Sequence, residues 1–369
     1  MNLLSRKSAV SVATAVVLSL VISSQALAHT WSSRKPLTSA TDAKSAGVVG
    51  LTSSNAVAAY LDWNGTAYDV DVSRSTNSGS NWGAAKTLST SAREAAISGL
   101  DPYVDVVWST QNGTFRYARS VDGGKNFGSP VTLSYSGGYA SHPHVARGPN
   151  GLVVIAWQEK YLYTVFARVS TDGGVTFGNS RTFTAIDSGG TSVAAGNGVA
   201  YVGYQTQSLW INVATTADGG VTWDDPNPTT SSAFGADEYS LTASGNDAYI
   251  AYGDYNPTYP QWDIIRYRRT TNAGLTWSNA RQVSASSWKT GLPSIEVSGG
   301  VERVVYIRKT STGYSTYYQQ SSDGLSWSNA ELVDSGGEDP LGVARAGKII
   351  VQFRTGSGPS GNVYVRTGS

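Results

Sequence analysis

Cysteine is absent from this chain of 369 residues. It is therefore not a disulfide scaffold, and it has neither a thiolate metal site nor a cysteine nucleophile. Runs of like charge are absent too, and the formal net charge is only +1. Nothing in that balance points to nucleic acid or an anionic membrane as a partner. No apolar run is long enough to cross a bilayer; the longest, from about residue 9 to residue 22, falls short. No later stretch keeps a helical apolar period over three turns with capping residues. Acidic residues nowhere alternate as in a calcium-binding loop, and no metal or cofactor is expected.

The short apolar run follows Arg6 and Lys7 and ends at Ala26-Leu27-Ala28. That is the layout of a secretory signal peptide with a small-x-small cleavage site. Residues 1–28 are expected to be removed, leaving one domain, 29–369, that is secreted. Losing the two basic residues takes the net charge to −1.

What remains is rich in Gly, Tyr and Trp, with Val, Thr, Ser and aromatics in short alternating runs between Gly, Asn, Asp and Ser. That is the pattern of short strands joined by tight turns. One segment recurs: "STNSGSNW" (75–82), "SVDGGKNF" (120–127), "STDGGVTF" (170–177), "TADGGVTW" (216–223), "TTNAGLTW" (270–277) and a worn "QSSDGLSW" (320–327). Their third letters, at 77, 122, 172, 218, 272 and 322, are 45, 50, 46, 54 and 50 residues apart. Repeats of this length mean a stacked or radial architecture. Within each interval two strands precede the segment leading into the box and one follows it, as in a propeller blade of four antiparallel strands. The tail, 339–369, supplies three strands and stops where a further box would begin. "TWSSRKPLTS" (30–39) matches "TWSNARQVSA" (276–285), a box ending plus a fourth strand. The expected fold is thus an all-β, seven-bladed propeller whose last blade is closed by the N-terminal strand, which removes open sheet edges.

The recurring segment resembles the Asp-box, or BNR repeat, of sialidases and related secreted propellers. The resemblance covers essentially the whole of 29–369. Asn77, Asn272 and Ser322 stand at the Asp position in three copies. A turn former tolerates such exchanges and a catalytic carboxylate does not, so Asp122, Asp172, Asp218 and Asp323 read as structural.

Chemistry is therefore expected on the opposite face, where first strands begin and second strands end. Aligned first strands give the column Gly47, Ala96, His144, Ser192, Ser240, Ser294 and Gly342, in which His144 is the one large residue. Aligned second strands give Asn64, Ser109, Gln158, Gln205, Gly253, Arg308 and Arg354. The fifth repeat is richest: "ADEYS" carries Glu238 and Tyr239, and "GDYNPTYPQWD" carries Asp254, Tyr255 and Trp262. Carboxylates beside aromatic rings suit a sugar, whose C–H faces stack while its hydroxyls bond carboxylates. Glu159, and Asp62 before Trp63, are candidates for the same mouth.

The expected role is recognition of an extracellular glycan by a monomer, with His144, Tyr255, Trp262, Arg308 and Arg354 binding. A glycoside hydrolase would draw its paired groups from Glu238, Tyr239, Asp254 and Glu159. The sialidase resemblance implies three arginines on a substrate carboxylate, for which Arg93, Arg308 and Arg354 are the candidates, and a Tyr–Glu nucleophile pair, for which Glu238 and Tyr239 stand. The Phe/Tyr-Arg-Ile-Pro motif that carries the first arginine of that family does not occur. A protein-binding scaffold is the third reading.

Overall fold

The computed structural model of the chain describes residues 28–40, 42–134, 139–159, 162–185, 190–225, 239–255, 263–356 and 361–369. Every described element is a strand, and every pairing is antiparallel. The N-terminal strand β1 (Lys35–Pro36) belongs to the last sheet. Then come β2 (Ala43–Gly50), β3 (Ala56–Trp63), β4 (Tyr68–Ser75) and β5 (Lys86–Ala92), paired in sequence order. The next sheet repeats that meander with β6 (Glu94–Leu100), β7 (Tyr103–Ser109), β8 (Phe115–Ser120) and β9 (Val131–Thr132). So does the third, with β10 (Ala140–Arg147), β11 (Val153–Glu159), β12 (Thr164–Ser170) and β13 (Arg181–Thr184). A three-stranded sheet follows, β14 (Thr191–Ala195), β15 (Ala200–Gln205) and β16 (Ile211–Thr216), with an isolated bridge from Thr215 to Asp224 at its edge.

The fifth sheet has eight strands. They are β17 (Tyr239–Ser244), β18 (Asp247–Tyr255), β19 (Asp263–Thr270), β20 (Arg281–Gln282), β21 (Lys289–Ser298), β22 (Val301–Thr310), β23 (Gly313–Ser321) and β24 (Glu331–Asp334). One residue pair, Asp263 with Thr290, joins its two meanders. The last sheet is β25 (Gly337–Ala346), β26 (Lys348–Thr355) and β27 (Asn362–Gly368), flanked by β1 through Lys35 opposite Val365 and Pro36 opposite Tyr364.

The first strands follow one another in space as in sequence. β2 lies beside β6, β6 beside β10, then β14, β17, β21 and β25, and β25 lies beside β2. The apolar cores sit between successive sheets. Val57, Ala59 and Leu61 of β3 pack on Val104, Val106 and Trp108 of β7, and the other clusters repeat this arrangement. The closing aromatic of each box belongs to such a core: Trp82, Phe127, Phe177, Trp223, Trp277 and Trp327 each pack on one cluster. A ring there removes a large apolar area from water, which ties the box to sheet packing.

The box itself is a closed set of local bonds. The Ser120 hydroxyl donates to Asp122 Oδ1 (2.8 Å), the Gly124 N–H donates to Ser120 Oγ (2.9 Å), and the Asn126 N–H donates to Asp122 Oδ1 (2.8 Å). Asn77 and Asn272 accept equivalent bonds through their amide oxygens, from the N–H groups of Asn81 (2.8 Å) and Thr276 (3.0 Å). Gly124, at φ 80°, lies so close to the preceding sheet that a Cβ would come within 2.8 Å of Val57. The sixth box needs a correction in register. Asp323, and not Ser322, accepts from Ser321 Oγ (3.0 Å) and from the Ser326 N–H (2.8 Å), because this copy is one residue shorter between its Ser and its Gly.

These bonds hold the Asp122 carboxyl down at about 2, chiefly through the Asn126 N–H. The stability they contribute is present above the ordinary carboxylate range and is lost as pH falls from about 4 toward 2. Asp122→Ala should cost roughly 1 kcal/mol in denaturant unfolding at neutral pH, since the group is well solvated. A loss of several kcal/mol would give the box a role beyond the turn.

Candidate functional site

A cavity of about 760 Å³ is lined by residues from β2, β6, β10, β14, β17, β21 and β25. Gly47, Ala96, His144, Ser192, Ser240, Ser294 and Gly342 all face it, as the aligned column predicts. Small residues let neighbouring first strands approach: a Cβ on Gly342 would come within 2.7 Å of the Val48 nitrogen.

Where first strands begin, the backbone departs from regular pairing. Register shifts fall between Ser45 and Gly47, Ser141 and His144, Gly291 and Ser294, and Glu338 and Gly342. Three of these bulges hold a non-glycine residue in the left-handed region: His142 (φ 48°), Leu292 (φ 51°) and Asp339 (φ 44°). Such backbone costs on the order of 1 kcal/mol per residue and clusters where a fold re-aims side chains. At His142 the surroundings hold it in place. Its N–H donates to the Glu94 carboxylate of β6, and its carbonyl accepts the Thr191 hydroxyl of β14 (2.9 Å). His142 Nδ1 is buried and has no hydrogen-bond partner among the described residues.

His144 lines the cavity two residues on. Burial, with a further push from His142, pulls its imidazole down to about 4, so the ring is neutral at physiological pH. The unfolded chain takes up this proton near 6.5, whereas the folded protein resists it until about 4. Stability is therefore full above about 6.5 and falls by about 2–3 kcal/mol as pH drops through that window. His144→Gln should remove this slope from the pH dependence of denaturant unfolding. An unchanged slope would show that His144 is not its source.

Tyr239 also lines the cavity, and its hydroxyl donates to the Gly190 carbonyl (3.3 Å). Burial raises its phenol well above the usual range, which disfavours the phenolate that a nucleophile requires.

The other candidates lie elsewhere. Glu159 is buried beneath Trp157 and does not line the cavity. Its Oε1 accepts the indole N–H of Trp157 (3.0 Å), its Oε2 accepts the Tyr139 N–H, and burial raises its carboxyl. This carboxylate ties Tyr139 and Trp157 to the end of β11, away from the cavity lining. Asp254 accepts Arg266 Nε (2.6 Å) in an ion pair beside β19. Arg308 stacks 3.8 Å from the centroid of Trp288 and donates to the Tyr317 hydroxyl. Arg354 donates to the Ala43 carbonyl (2.9 Å) and lies 3.8 Å from Asp42, linking β26 to β2. Arg93 stacks 4.7 Å from the Tyr139 ring. The three candidate arginines are thus engaged by three separate sets of neighbours. Asp62 accepts the Thr38 hydroxyl (2.6 Å). Glu238 and Trp262 lie outside the described residues, as does the side chain of Tyr255.

The first-strand and second-strand columns overlooked Glu94 and a set of exposed aromatics. Trp63 (40 % exposed), Tyr163 (52 %) and Trp210 (36 %) flank turns between second and third strands. Antiparallel connectivity puts those turns on the face where first strands begin. The signal was present in the sequence: an aromatic recurs where third strands start, at Tyr68, Phe115, Tyr163, Trp210, Trp262 and Tyr314.

No protein-family model matches the chain, and no curated protein matches it. Solved structures do resemble it. A PL25 ulvan lyase, a polysaccharide lyase, superposes with a TM-score of 0.61 at 10% identity, over 89% of this chain and 94% of that one. A lectin from Aleuria aurantia in complex with Fucα1-6GlcNAc gives 0.52 at 14% identity, over 80% and 97%. Trypanosoma rangeli sialidase with 2,3-difluorosialic acid gives 0.50 at 12% identity, and this chain spans only 54% of its length. Identities this low show a shared fold and nothing finer: the chain is all-β, with several four-stranded antiparallel sheets, and propeller-like.

Proposed function

We propose that the protein is an exported, monomeric, seven-bladed Asp-box propeller that recognises an extracellular glycan on the face where its first strands begin. The blade count is supported by the succession of first strands from β2 round to β25. In this reading the eight-stranded sheet is two blades touching at Asp263 and Thr290. β1 supplies the outer strand of the last blade.

The observation that carries the glycan reading is a set of exposed aromatics at turns between second and third strands, Trp63, Tyr163 and Trp210, on the face where a polar cavity lined by Glu94, His142, His144 and Tyr239 opens. Indole and phenol faces take the C–H faces of sugars, and the mouth supplies donors and acceptors for hydroxyls. The polysaccharide lyase and the fucose lectin are glycan-directed propellers of similar fold, which agrees with a carbohydrate partner. A glycoside hydrolase reading draws less support: Glu159 and Asp254 are both engaged by neighbours, which leaves Glu238 to carry it.

A glycan array probed with the wild-type protein should show a bounded set of ligands. Trp210→Ala and Tyr163→Ala should each weaken the best ligand about tenfold, roughly 1.4 kcal/mol, with melting temperature unchanged. Trp262→Ala should act likewise. Glu238→Gln should leave binding intact and would abolish turnover of a fluorogenic glycoside only if the protein is an enzyme. An array without ligands, or binding indifferent to both aromatic changes, would sink this reading.

A further inference from the structure

The opposite face, where the boxes lie, holds a second cavity of about 530 Å³ between the sheets of β6 and β10. Its floor is a buried ion pair. Asp105, fully buried, accepts from Nε and Nη2 of Arg147, whose side chain is 2% exposed. Arg147 Nη2 also donates to the Gly173 carbonyl (3.0 Å), and Arg119 Nη1 donates to the same oxygen (2.6 Å). Two guanidinium groups thus converge on one carbonyl at the bottom of a pocket.

Arg147 also interacts with the Tyr117 hydroxyl, yet each guanidinium keeps a nitrogen outside the Asp105 and Gly173 bonds. Arg147 Nη1 takes no part in the Asp105 or Gly173 bonds, and Arg119 contributes a single N–H to Gly173. The space beside Gly173 fixes where they point. The position a Cβ would take there is 3.7 Å from Arg119 Nη1 and 3.9 Å from Arg147 Nη1, and beyond Gly173 and its chain neighbours Asp172 and Gly174 no other group comes within 4 Å. An atom near that position faces two cationic nitrogens. The walls are apolar: Leu100, Tyr103, Val121 and Val175 are 44, 39, 55 and 60% exposed. Tyr103 is held by Arg147, whose guanidinium lies 4.8 Å from its ring centroid. Two carboxylates also line the pocket. Asp172 is turned into its own box, accepting from Ser170, Val175 and Thr176, and Asp101 is exposed.

We propose that this pocket binds a compact oxyanion, a carboxylate or a sulfate, carried on a body with an apolar face. Planar guanidinium donors in a recess match the oxygens of such a group, and an exposed ring with aliphatic walls matches the body. The residues come from the ends of β6, β8 and β10, the start of β7 and the second and third boxes; Leu100 and Arg147 also line the larger cavity, at the strand ends away from its mouth. Arg119, Val121 and Val175 belong to this pocket and not to the larger cavity, so variants there test it apart from the glycan reading.

Calorimetric titration of the full protein with benzoate, glucuronate and glucose 6-sulfate tests it, with benzamide and glucose as neutral controls. At least one acid should bind at low salt, and the neutral compounds should not. Benzoate and glucuronate report a carboxylate site; glucose 6-sulfate alone reports a sulfate site. Affinity should fall about tenfold in Arg119→Gln and in Val175→Asp, which sets a negative charge on the wall, and should rise in Val175→Lys. Val175 is exposed, so its variants should melt with the wild type; Arg119→Gln gives up the Gly173 bond, and its melting temperature is read beside its affinity. The proposal is overturned if no acid binds, if neutral and acidic probes bind alike, or if Arg119→Gln and Val175→Asp bind as the wild type does.

Discussion

Asp105→Ala should destabilise the protein by about 3–5 kcal/mol, because it strands a buried guanidinium. Asp105 is wholly inaccessible and takes Arg147 through two nitrogens and the Tyr117 hydroxyl through Oδ1 (2.5 Å). Removing the carboxylate leaves Arg147 with the Gly173 carbonyl and the Tyr117 hydroxyl but no counter-charge. The attraction within such a pair roughly offsets the desolvation of its two ions, so losing one partner costs far more than losing both. The double change Asp105→Leu with Arg147→Met should accordingly recover most of the loss. Denaturant unfolding of Asp105→Leu, Arg147→Met and the double closes the cycle. If Asp105→Ala costs under 1 kcal/mol, water reaches the pair and its burial is not what the packing indicates.

Deleting residues 29–40 should be the more disruptive change. Arg34 forms two bonds with Asp334, Nε to Oδ2 at 2.7 Å and Nη2 to Oδ1 at 2.6 Å. Trp31 packs 5.6 Å from Tyr318, and the Leu37 N–H donates to the Val363 carbonyl (3.0 Å) while its side chain joins the core with Val363 and Val365. His29 bonds Glu331 through both its backbone N–H and Nδ1. Without this segment β27 becomes an open edge, which favours pairing with another chain. The loss should exceed about 5 kcal/mol, from the ion pair, the Trp31 and Leu37 burial and the strand bonds together. A melting temperature lower by about 7 °C or more, on a scale of roughly 1.4 °C per kcal/mol for a domain of this size, should appear alongside dimers in size-exclusion chromatography. A synthetic peptide of residues 29–40 should restore the monomer. An unchanged melting temperature would mean that the N-terminal segment is an ornament on an already complete sheet.

Much of the architecture was legible before any coordinates. Box spacing set the meander length, and alternation picked out the strands. The column of small first-strand residues identified the cavity lining, His144 included. These features are local or periodic: a turn type, a two-residue alternation and a recurring interval are written into neighbouring residues. The box carboxylates were legible for the same reason, since Asp122 bonds only to groups within four residues of itself. What tertiary structure decided is which partner each isolated charge and ring meets. Glu159 looks like a mouth carboxylate in sequence and lies under Trp157, while Arg354 looks like a ligand-binding arginine and ties β26 to β2. Asp105 and Arg147, 42 residues apart on neighbouring sheets, carry no sequence mark of their pairing. A charged side chain takes whichever counter-charge or ring the packing of the next sheet brings within reach. That choice depends on the angle between sheets, which no stretch of the chain encodes alone.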